Sequence, residues 1–595
     1  MRVAVLVKQI PKPEDLRLVA GRLVRDGVPL ETNAFCRRAN ARAVELAEQF
    51  GGEVVVITMG APAAAATLRE MVACGASRAV LVSDPLLAGS DTLVTSRVLA
   101  DVLQREGPFD LVLCGAYTLD SETGHVGVQV AHMLGLPFIG PCRSLDVHER
   151  VVSADLEVDG GHRVVTATLP LVASAAERLC APSKASPEQC DAVDPSRIKT
   201  LTAADLGLAP ESVGIPGSPT WVGPTMRETA PVRPRRRLKA ASAAEAIGLI
   251  AGIDEADALQ ELVTQAAALR ADQDELSEIW CVPDAISHPL DPGLVAAVAG
   301  HAADTGRQGV TVIATDAIPP STPGMRRLIE VTEGCHAENF ASLLAQLVAE
   351  EHPHAVVVEG TTWGREVAAR VAAELGWGLV GDAVQLTAEQ GRVLAWKAAF
   401  SGQALVPVES RSPTLLVTVR PGTQTTASEL LFGEMPKPAF SRLAAPSVSR
   451  VQYGPLRGAD LEARGLLSAE CVVAVGRGVP PDEYALLDEL RSRLDAGPLA
   501  ATRQVTDAGW LPRSRQIGIT GRSIAPRLLV SVGASGKFNH TVGFRNATTV
   551  LAINSDPAAP IFDQCDVGLV GDWRALVQEL CAHLDSVQPA GQIVG

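Results

Sequence analysis

Two segments of this chain read alike. "DLVLCGAYTLDSETGHVGVQVAHMLGLPFIG" runs from Asp110 to Gly140, and "HAVVVEGTTWGREVAARVAAELGWGLVG" from His354 to Gly381. Each has a short apolar run, a glycine-bearing loop, an alanine-rich helical stretch, a Leu-Gly step and a second apolar run. An ordered unit that recurs in this way calls for two related domains in one chain. Short apolar runs separated by helices predict parallel sheets covered on both faces. The repetition specifies neither ligand nor activity.

The flanking sequence extends the pattern. Val3–Val7, "EVVVITMG", "RAVLVS" and "DLVLCG" are strand candidates, with a helix expected from Asn33 to Phe50. Residues 143–172 read as antiparallel additions. A second series begins near Ile279 with "VTVIAT", "HAVVVEG" and "TLLVTV" as its clearest strands. A third begins near Glu470 with "CVVAVGRG", "RLLVSVG" and "TVLAIN". A length of 595 residues exceeds what one core supports. The expected fold class is α/β, with repeated open, mostly parallel sheets flanked by helices. The expected divisions are 1–250, a linker over 251–277, 278–445 and 446–595.

Composition narrows the function. The net charge of −16 argues against nonspecific nucleic-acid or membrane binding. The basic run Arg233 to Lys239 lacks interleaved aromatics and reads as a solvated linker. No stretch reaches the roughly 18 apolar residues of a membrane span. The opening "MRVAVLVKQIPKPE" reads as a strand rather than a signal peptide, so a cytoplasmic location is expected. Eleven cysteines occur without a CxxC pair, which disfavours both a disulfide framework and a cysteine-based metal site. No metal is expected.

The third block concentrates turn chemistry at strand ends. Gly476, Arg477 and Gly478 follow an apolar strand. Thr502 and Arg503, then Gln516, Thr520 and Gly521, then Ser535, Gly536 and His540, then Asn554 and Asp556, and finally Asp566 come in order after it. Ligands of open parallel sheets sit at the carboxyl ends of strands, where backbone N–H groups cradle phosphate. Taken singly, each turn also reads as an ordinary strand-to-helix connection or hairpin. Neither GxGxxG in its usual setting nor GxxxxGK[ST] occurs, and the G-x-S-x-G elbow of a hydrolase is absent.

The ordered set GRG, TR…DAG, Q-x-G-x-TG, SG-x-x-x-H, AIN-x-D-x-x-PIF and D-x-GLVGD closely resembles the flavin domain of electron transfer flavoprotein alpha subunits over about residues 470–590. Residues 278–440 resemble that subunit's amino-terminal domain, with "GTTWGREVAARVAAELG" and "TVRPG" as marks. Residues 1–250 resemble the beta subunit through "VKQIPKP", "NAFC", "ACGASRAVLV", "DLVLCG" and "GSPT". The chain thus resembles a beta–alpha fusion ending in a Rossmann-like FAD-binding domain.

The resemblance implies bound FAD and a role for each residue of the set. His540 meets the flavin pyrimidine edge near N1 or the C2 oxygen. Arg503 lies over or beside the isoalloxazine, and Thr520 reaches the N5 region; these three are the implied redox-tuning residues. Arg477, between Gly476 and Gly478, belongs to the first cofactor loop. Ser535 and the amides around Gly536 support the dinucleotide, with Thr502, Gln516 and Gly521 in the same shell. Asn554, Asp556 and Asp566 place the adenosine. Ile519 stands where many relatives carry a second glutamine, removing one polar contact.

The beta-like part resembles a second nucleotide site. It is implied at Asn33, Ala34, Phe35 and Cys36, where Ala34 departs from the family's NPF, and at Asp120, Thr123, Gly124, Val126 and Gly127 in "DSETGHVG". The T-G-x-V-G portion is closer to relatives that hold a second FAD than to those that hold AMP, and both remain open. The family's docking loop matches "AAERLCAPSKASPEQC", in which Ser183 and Lys184 replace an Arg-Tyr pair. The expected function is an FAD-dependent electron carrier rather than a small-substrate enzyme. Its partners would be a flavoprotein dehydrogenase or other redox donor, and a quinone reductase or other redox acceptor. The alternatives are an electron-bifurcating flavoprotein and an inactive nucleotide-binding protein.

Overall fold

A computed structural model describes the chain except residues 13–16, 20–21, 25–26, 119, 160, 224–226, 229–237, 241, 243, 251–277, 285–291, 306, 308, 316–323, 390–391, 400–403, 422–436, 459, 461, 468, 519–520, 545–546 and 588–595. The expected linker over 251–277 and most of the basic run therefore lie outside the described residues. The chain forms two compact units. The first joins residues 1–228, 275–420 and 426–459; the second joins 229–274, 421–425 and 460–595.

The first unit contains two sheets of the same topology. In the amino-terminal lobe the strand order is Ile198–Leu201, Arg78–Val82, Glu53–Met59, Arg2–Leu6, Leu111–Gly115, Leu171–Ala175, Phe138–His148, Val151–Val158 and Gly161–Thr168. In the central lobe it is Ala439–Ala444, Met325–Glu333, Val310–Ala314, Ile279–Val282, Ala355–Glu359, Leu415–Val419, Leu379–Glu389, Arg392–Ala399 and Ala404–Ser410. Position by position the two orders correspond, so the sequence echo is a repeat of topology. In both lobes the strands pair in parallel until the last three, which form an antiparallel meander. The meander in the first lobe is the antiparallel addition expected over 143–172.

Each sheet is finished by a strand from the other part of the chain. Thr220–Val222 pairs antiparallel with Ala404–Ser410, and Gln452–Arg457 pairs antiparallel with Gly161–Thr168. This exchange covers two edges that would otherwise expose unpaired backbone. It also moves a boundary. Residues 446–459 belong with the first unit, because their strand completes the amino-terminal lobe's sheet.

One apolar core runs between the lobes. It includes Val94, Val98, Val128 and Ala131 from one, and Phe340, Leu344, Val367 and Val371 from the other. Helices His125–Met133 and Thr362–Leu375, the equivalent helices of the repeat, both contribute to it. Helix Ala34–Phe50 buries Cys36, Ala39, Ala43 and Leu46 at helical spacing on a separate core.

The second unit is a parallel sheet in the order Leu238–Ala240, Val567–Val570, Thr549–Asn554, Leu528–Val532, Cys471–Val475 and Ala500–Ala501. The end of the basic run is thus an edge strand in this sheet, not a linker, and the expected division at 250 moves accordingly. Leu238 and Ala240 are apolar positions on either side of Lys239, which suits such a strand. Apolar clusters cover both faces of the sheet. Among the described residues no helix is long and apolar enough to cross a membrane.

Candidate functional site

In the second unit the carboxyl edge of the sheet gathers most of the expected residues. Gly476 follows Cys471–Val475, and its N–H donates to the Val532 carbonyl at 2.8 Å. A Cβ at Gly476 would lie 2.2 Å from the Gly533 carbonyl oxygen, so only glycine lets these two turns touch. Arg477, Gly478 and Ser535 are exposed beside them. Asn554 ties a third turn to this pair: its Nδ2 donates to the Ala534 carbonyl at 2.8 Å, and its Oδ1 accepts from the Asp556 N–H at 2.9 Å. Ile561 N–H donates to the Ser535 carbonyl at 3.1 Å.

Gly536 has φ +75°, and a Cβ there would lie 2.2 Å from the backbone nitrogen of Ile561. Gly536→Ala is expected to cost the second unit at least about 1–3 kcal/mol and to lower flavin retention. The unit's unfolding midpoint and the flavin-to-protein absorbance ratio measure both.

Along the same edge, Thr502 precedes the short helix Arg503–Asp507. Arg503 is exposed, with its Nε 3.1 Å from Asp507 Oδ2. Gln516 is buried, and its Oε1 accepts from Thr506 Oγ1 at 2.8 Å. Gly521 closes the same turn, where a Cβ would meet the Gln516 carbonyl oxygen at 2.3 Å. Thr520 and Ile519 lie outside the described residues. His540 is buried, with Nδ1 3.1 Å from the Ile517 carbonyl. A carbonyl only accepts, so Nδ1 carries the proton and Nε2 of the neutral ring is an acceptor. Nε2 is buried and finds no partner among the described residues. Burial pushes the imidazole pKa down to about 4, against the opposing pull of the Ile517 hydrogen bond.

Asp566 is not part of this edge. It precedes Val567–Val570, and its Oδ2 accepts from the Val550 N–H at 2.8 Å, at the amino end of both strands. The carboxylate thus ties two strand starts together and is not among the turns gathered at the carboxyl edge. The acid at the carboxyl end is Asp572, in the same "GLVGD" run. It caps helix Trp573–Val587, its Oδ1 accepting from the Arg574 N–H at 3.0 Å.

In the first unit, Asn33 meets Tyr117, on the segment that leads into the 120–127 loop. Asn33 is wholly buried at the start of helix Ala34–Phe50, but its side chain does not cap that helix. Its Nδ2 donates to the Tyr117 carbonyl at 3.0 Å, and its Oδ1 has no partner among the described residues. The Phe35 ring packs on Tyr117 with centroids 4.4 Å apart. Cys36 is buried and its thiol pKa is raised by that burial, so it reads as core. Ala34 is half-buried. Asp120 bonds Thr118 Oγ1 at 2.6 Å and Lys8 at 2.8 Å. Burial opposes its ionisation, yet Lys8 holds its carboxyl below the ordinary value.

Thr123 and Val126 are half-buried on either side of Gly124, which has φ +70° and starts helix His125–Met133 without a side-chain cap. Gly127 lies on the next turn, and a Cβ there would meet Cys114 Sγ at 2.6 Å. The equivalent helix of the repeat differs. At Thr362–Leu375 the Thr361 hydroxyl caps Gly364, and Asp159 of the amino-terminal lobe accepts from the Thr362 N–H at 2.6 Å. One helix start is thus closed by a carboxylate, and the other has no side-chain cap among the described residues.

Beside the open start lies a buried charge network that sequence reasoning missed. Arg420, from "TVRPG", pairs with Asp382 and lies 3.3 Å from Glu122; Arg365 meets Asp382 at 2.7 Å; Lys397 donates to the Ser121 carbonyl. Glu122 and Asp382 both hold positive φ, 51° and 59°. Burial would raise the Asp382 carboxyl pKa, but Arg420 and Arg365 hold it far below the usual range. Burial lowers Lys397 to about 8 against the pull of Asp382 and Glu122. His125 is fully buried, neither ring nitrogen has a partner among the described residues, and burial with Lys397 and Arg365 lowers it to about 3.

Comparison with known proteins gives these sites a context. The Electron transfer flavoprotein domain family matches residues 20–206 and again 330–442, and the Electron transfer flavoprotein FAD-binding domain matches 465–545. The chain belongs to the electron transfer flavoprotein family. An alpha subunit from Syntrophomonas wolfei is 34% identical over 251 residues, 41% of this chain and 78% of the relative. A beta subunit from Thermoanaerobacterium thermosaccharolyticum is 32% identical over 225 residues, 37% of this chain and 86% of the relative. Protein FixA of Bradyrhizobium diazoefficiens is 35% identical over 234 residues, 37% of this chain and 81% of the relative. Similarity to both an alpha and a beta subunit accords with a fusion of the two, and the two segments matched by the Electron transfer flavoprotein domain fall on the two lobes of the repeat.

Proposed function

We propose that this chain is a carrier that holds FAD on its second unit and a further nucleotide, AMP or FAD, in its amino-terminal lobe. It passes electrons from a flavoprotein dehydrogenase or other redox donor to a quinone reductase or other acceptor. The observation that carries the reading is the convergence of the Gly476, Thr502, Gln516, Ser535, His540 and Asn554 turns on one edge of the sheet within a family FAD-binding domain. That edge suits a dinucleotide: tightly apposed glycine turns, exposed Arg477 and Ser535, and a buried nitrogen at His540 with no partner among the described residues.

FAD, when bound, supplies the redox chemistry. Arg503 places a fixed positive charge at the edge and favours negative charge that develops on a ligand there. Ile517 fixes the His540 tautomer. With Nδ1–H engaged, Nε2 accepts a hydrogen bond, and it donates one to a flavin oxygen only after taking up a proton. The expected contact with the N1–C2 edge is thus tied to proton uptake at Nε2.

The amino-terminal lobe is the side assigned to the second nucleotide because, among the described residues, no side chain caps its helix start as a carboxylate and a hydroxyl close the equivalent one. The Asn33 oxygen, buried and with no partner among the described residues, is a second reason. Nucleotides extracted from the purified full chain and separated by chromatography test the proposal. One FAD plus one AMP, or two FAD, per chain is the expected result, the latter favouring bifurcation. A chain that takes up no flavin on reconstitution would be an inactive relative.

A further inference from the structure

We propose that Lys397 of the central lobe is a positioning residue for the second-nucleotide site of the amino-terminal lobe, holding the Asp120–Gly124 loop in its ligand-ready shape. The inference rests on the reading that this lobe binds a nucleotide.

Lys397 lies on Arg392–Ala399, in the antiparallel meander of the central lobe, and is 6% exposed. A buried ammonium is costly unless its charge and donors are met. It donates to the backbone carbonyl of Ser121, a residue of the other lobe, and has the carboxylates of Asp382 and Glu122 as charge partners. The Ser121 carbonyl sits at the centre of the loop. On one side Asp120 is tied to Thr118 and Lys8; on the other, Glu122 at φ 51° and Gly124 at φ 70° turn the chain into helix His125–Met133. A left-handed glutamate is an uncommon backbone state that persists only when its surroundings hold it. Two cations of the central lobe do so here: Lys397 through the preceding carbonyl and Arg420 through the Glu122 carboxylate.

The exchange between lobes is reciprocal but chemically unequal. The amino-terminal lobe sends Asp159, from the end of the equivalent meander strand, to the helix start at Thr362. The central lobe sends an ammonium, which binds a loop carbonyl and adds no side-chain cap to the other helix start. A phosphate-bearing nucleotide therefore meets a loop whose shape is set by the opposite lobe. Binding and lobe packing are then linked, and each strengthens the other.

The test uses the full chain stripped of nucleotides, titrated calorimetrically with AMP and, separately, with FAD after the second unit has been refilled with FAD. Lys397→Met is expected to weaken whichever ligand binds the wild type by about 5- to 150-fold, the range of an ordinary coupling between sites. FAD retained by the second unit should not change. Lys397→Arg, which keeps a donor and the charge, should recover part of the loss, which a merely space-filling role would not predict. Glu122→Gln, which keeps the side-chain shape and Lys397, provides a second route should Lys397→Met fail to fold, and a smaller loss of affinity is expected. Wild-type affinity in a folded Lys397→Met, or in Glu122→Gln when Lys397→Met does not fold, overturns the proposal. If the wild type itself binds neither AMP nor a second FAD, the nucleotide reading of the lobe is wrong.

Discussion

Asp382→Ala is expected to lower the stability of the first unit by about 3–5 kcal/mol, the usual cost of removing one partner from a buried ionic group. Asp382 is 3% exposed, and it is the carboxylate shared by Arg420 and Arg365 and seen by Lys397. Without it, Glu122 is left as the main buried counter-charge to Arg420 and Lys397. The loss is larger than a lost hydrogen bond because the desolvation of the remaining cations is no longer compensated. Asp382→Asn separates charge from shape: it keeps the side-chain size and one acceptor, and is expected to retain part of the stability. Trp280, Trp363 and Trp396 all lie in the first unit, so urea unfolding followed by their fluorescence reads the change. An Asp382→Ala midpoint within error of the wild type would mean that the network contributes nothing net to the folded state.

The same network marks where sequence reading stopped. Strands such as Val3–Val7 and the segments at 110–140 and 354–381 were legible because apolar runs and glycine loops follow from local backbone requirements. So was the carboxyl-edge cluster, since residues that follow a parallel strand fall on one edge wherever the strand goes. Lys397 and Arg420 were not legible as a pair. They sit in ordinary strand sequence, "VLAWKAAF" and "TLLVTVRPG", and their partners Ser121 and Glu122 are about 270–300 positions away. Only the meeting of the two lobes brings them together. Asp566 stands apart from the cluster for a different reason: it precedes its strand, and only residues that follow a parallel strand fall on the carboxyl edge. The strand Leu238–Ala240 was masked by its neighbours, because a basic run dominates composition while three residues are enough to extend an edge.

His125 is expected to make the nucleotide-stripped first unit sensitive to acid. Its folded-state pKa is lowered to about 3, first by complete burial and then by Lys397 and Arg365, with Asp382 opposing them. An unfolded histidine titrates near 6.5. Between these values the unfolded chain binds the extra proton, so stability rises with pH across that window, is fully present above about 6.5 and is lost as pH falls toward 3. The slope approaches about 1.4 kcal/mol per pH unit for one proton, or about 2 kcal/mol between pH 6 and pH 4.5. Asp382 stays ionised through this window because its arginine partners hold its carboxyl low, so the network keeps its counter-charge while the histidine is challenged. His125→Gln removes the titration and leaves a polar group of comparable reach against Gly381, where the imidazole now packs. The difference in stability between wild type and His125→Gln isolates this proton from every other titrating group, His540 in the second unit included. That difference should change with pH by the slope given, the wild type losing ground as acid is added. A difference that stays flat from pH 7 to pH 4.5 would show that the ring is reached by water or finds a partner, and is not the buried neutral base that its surroundings describe.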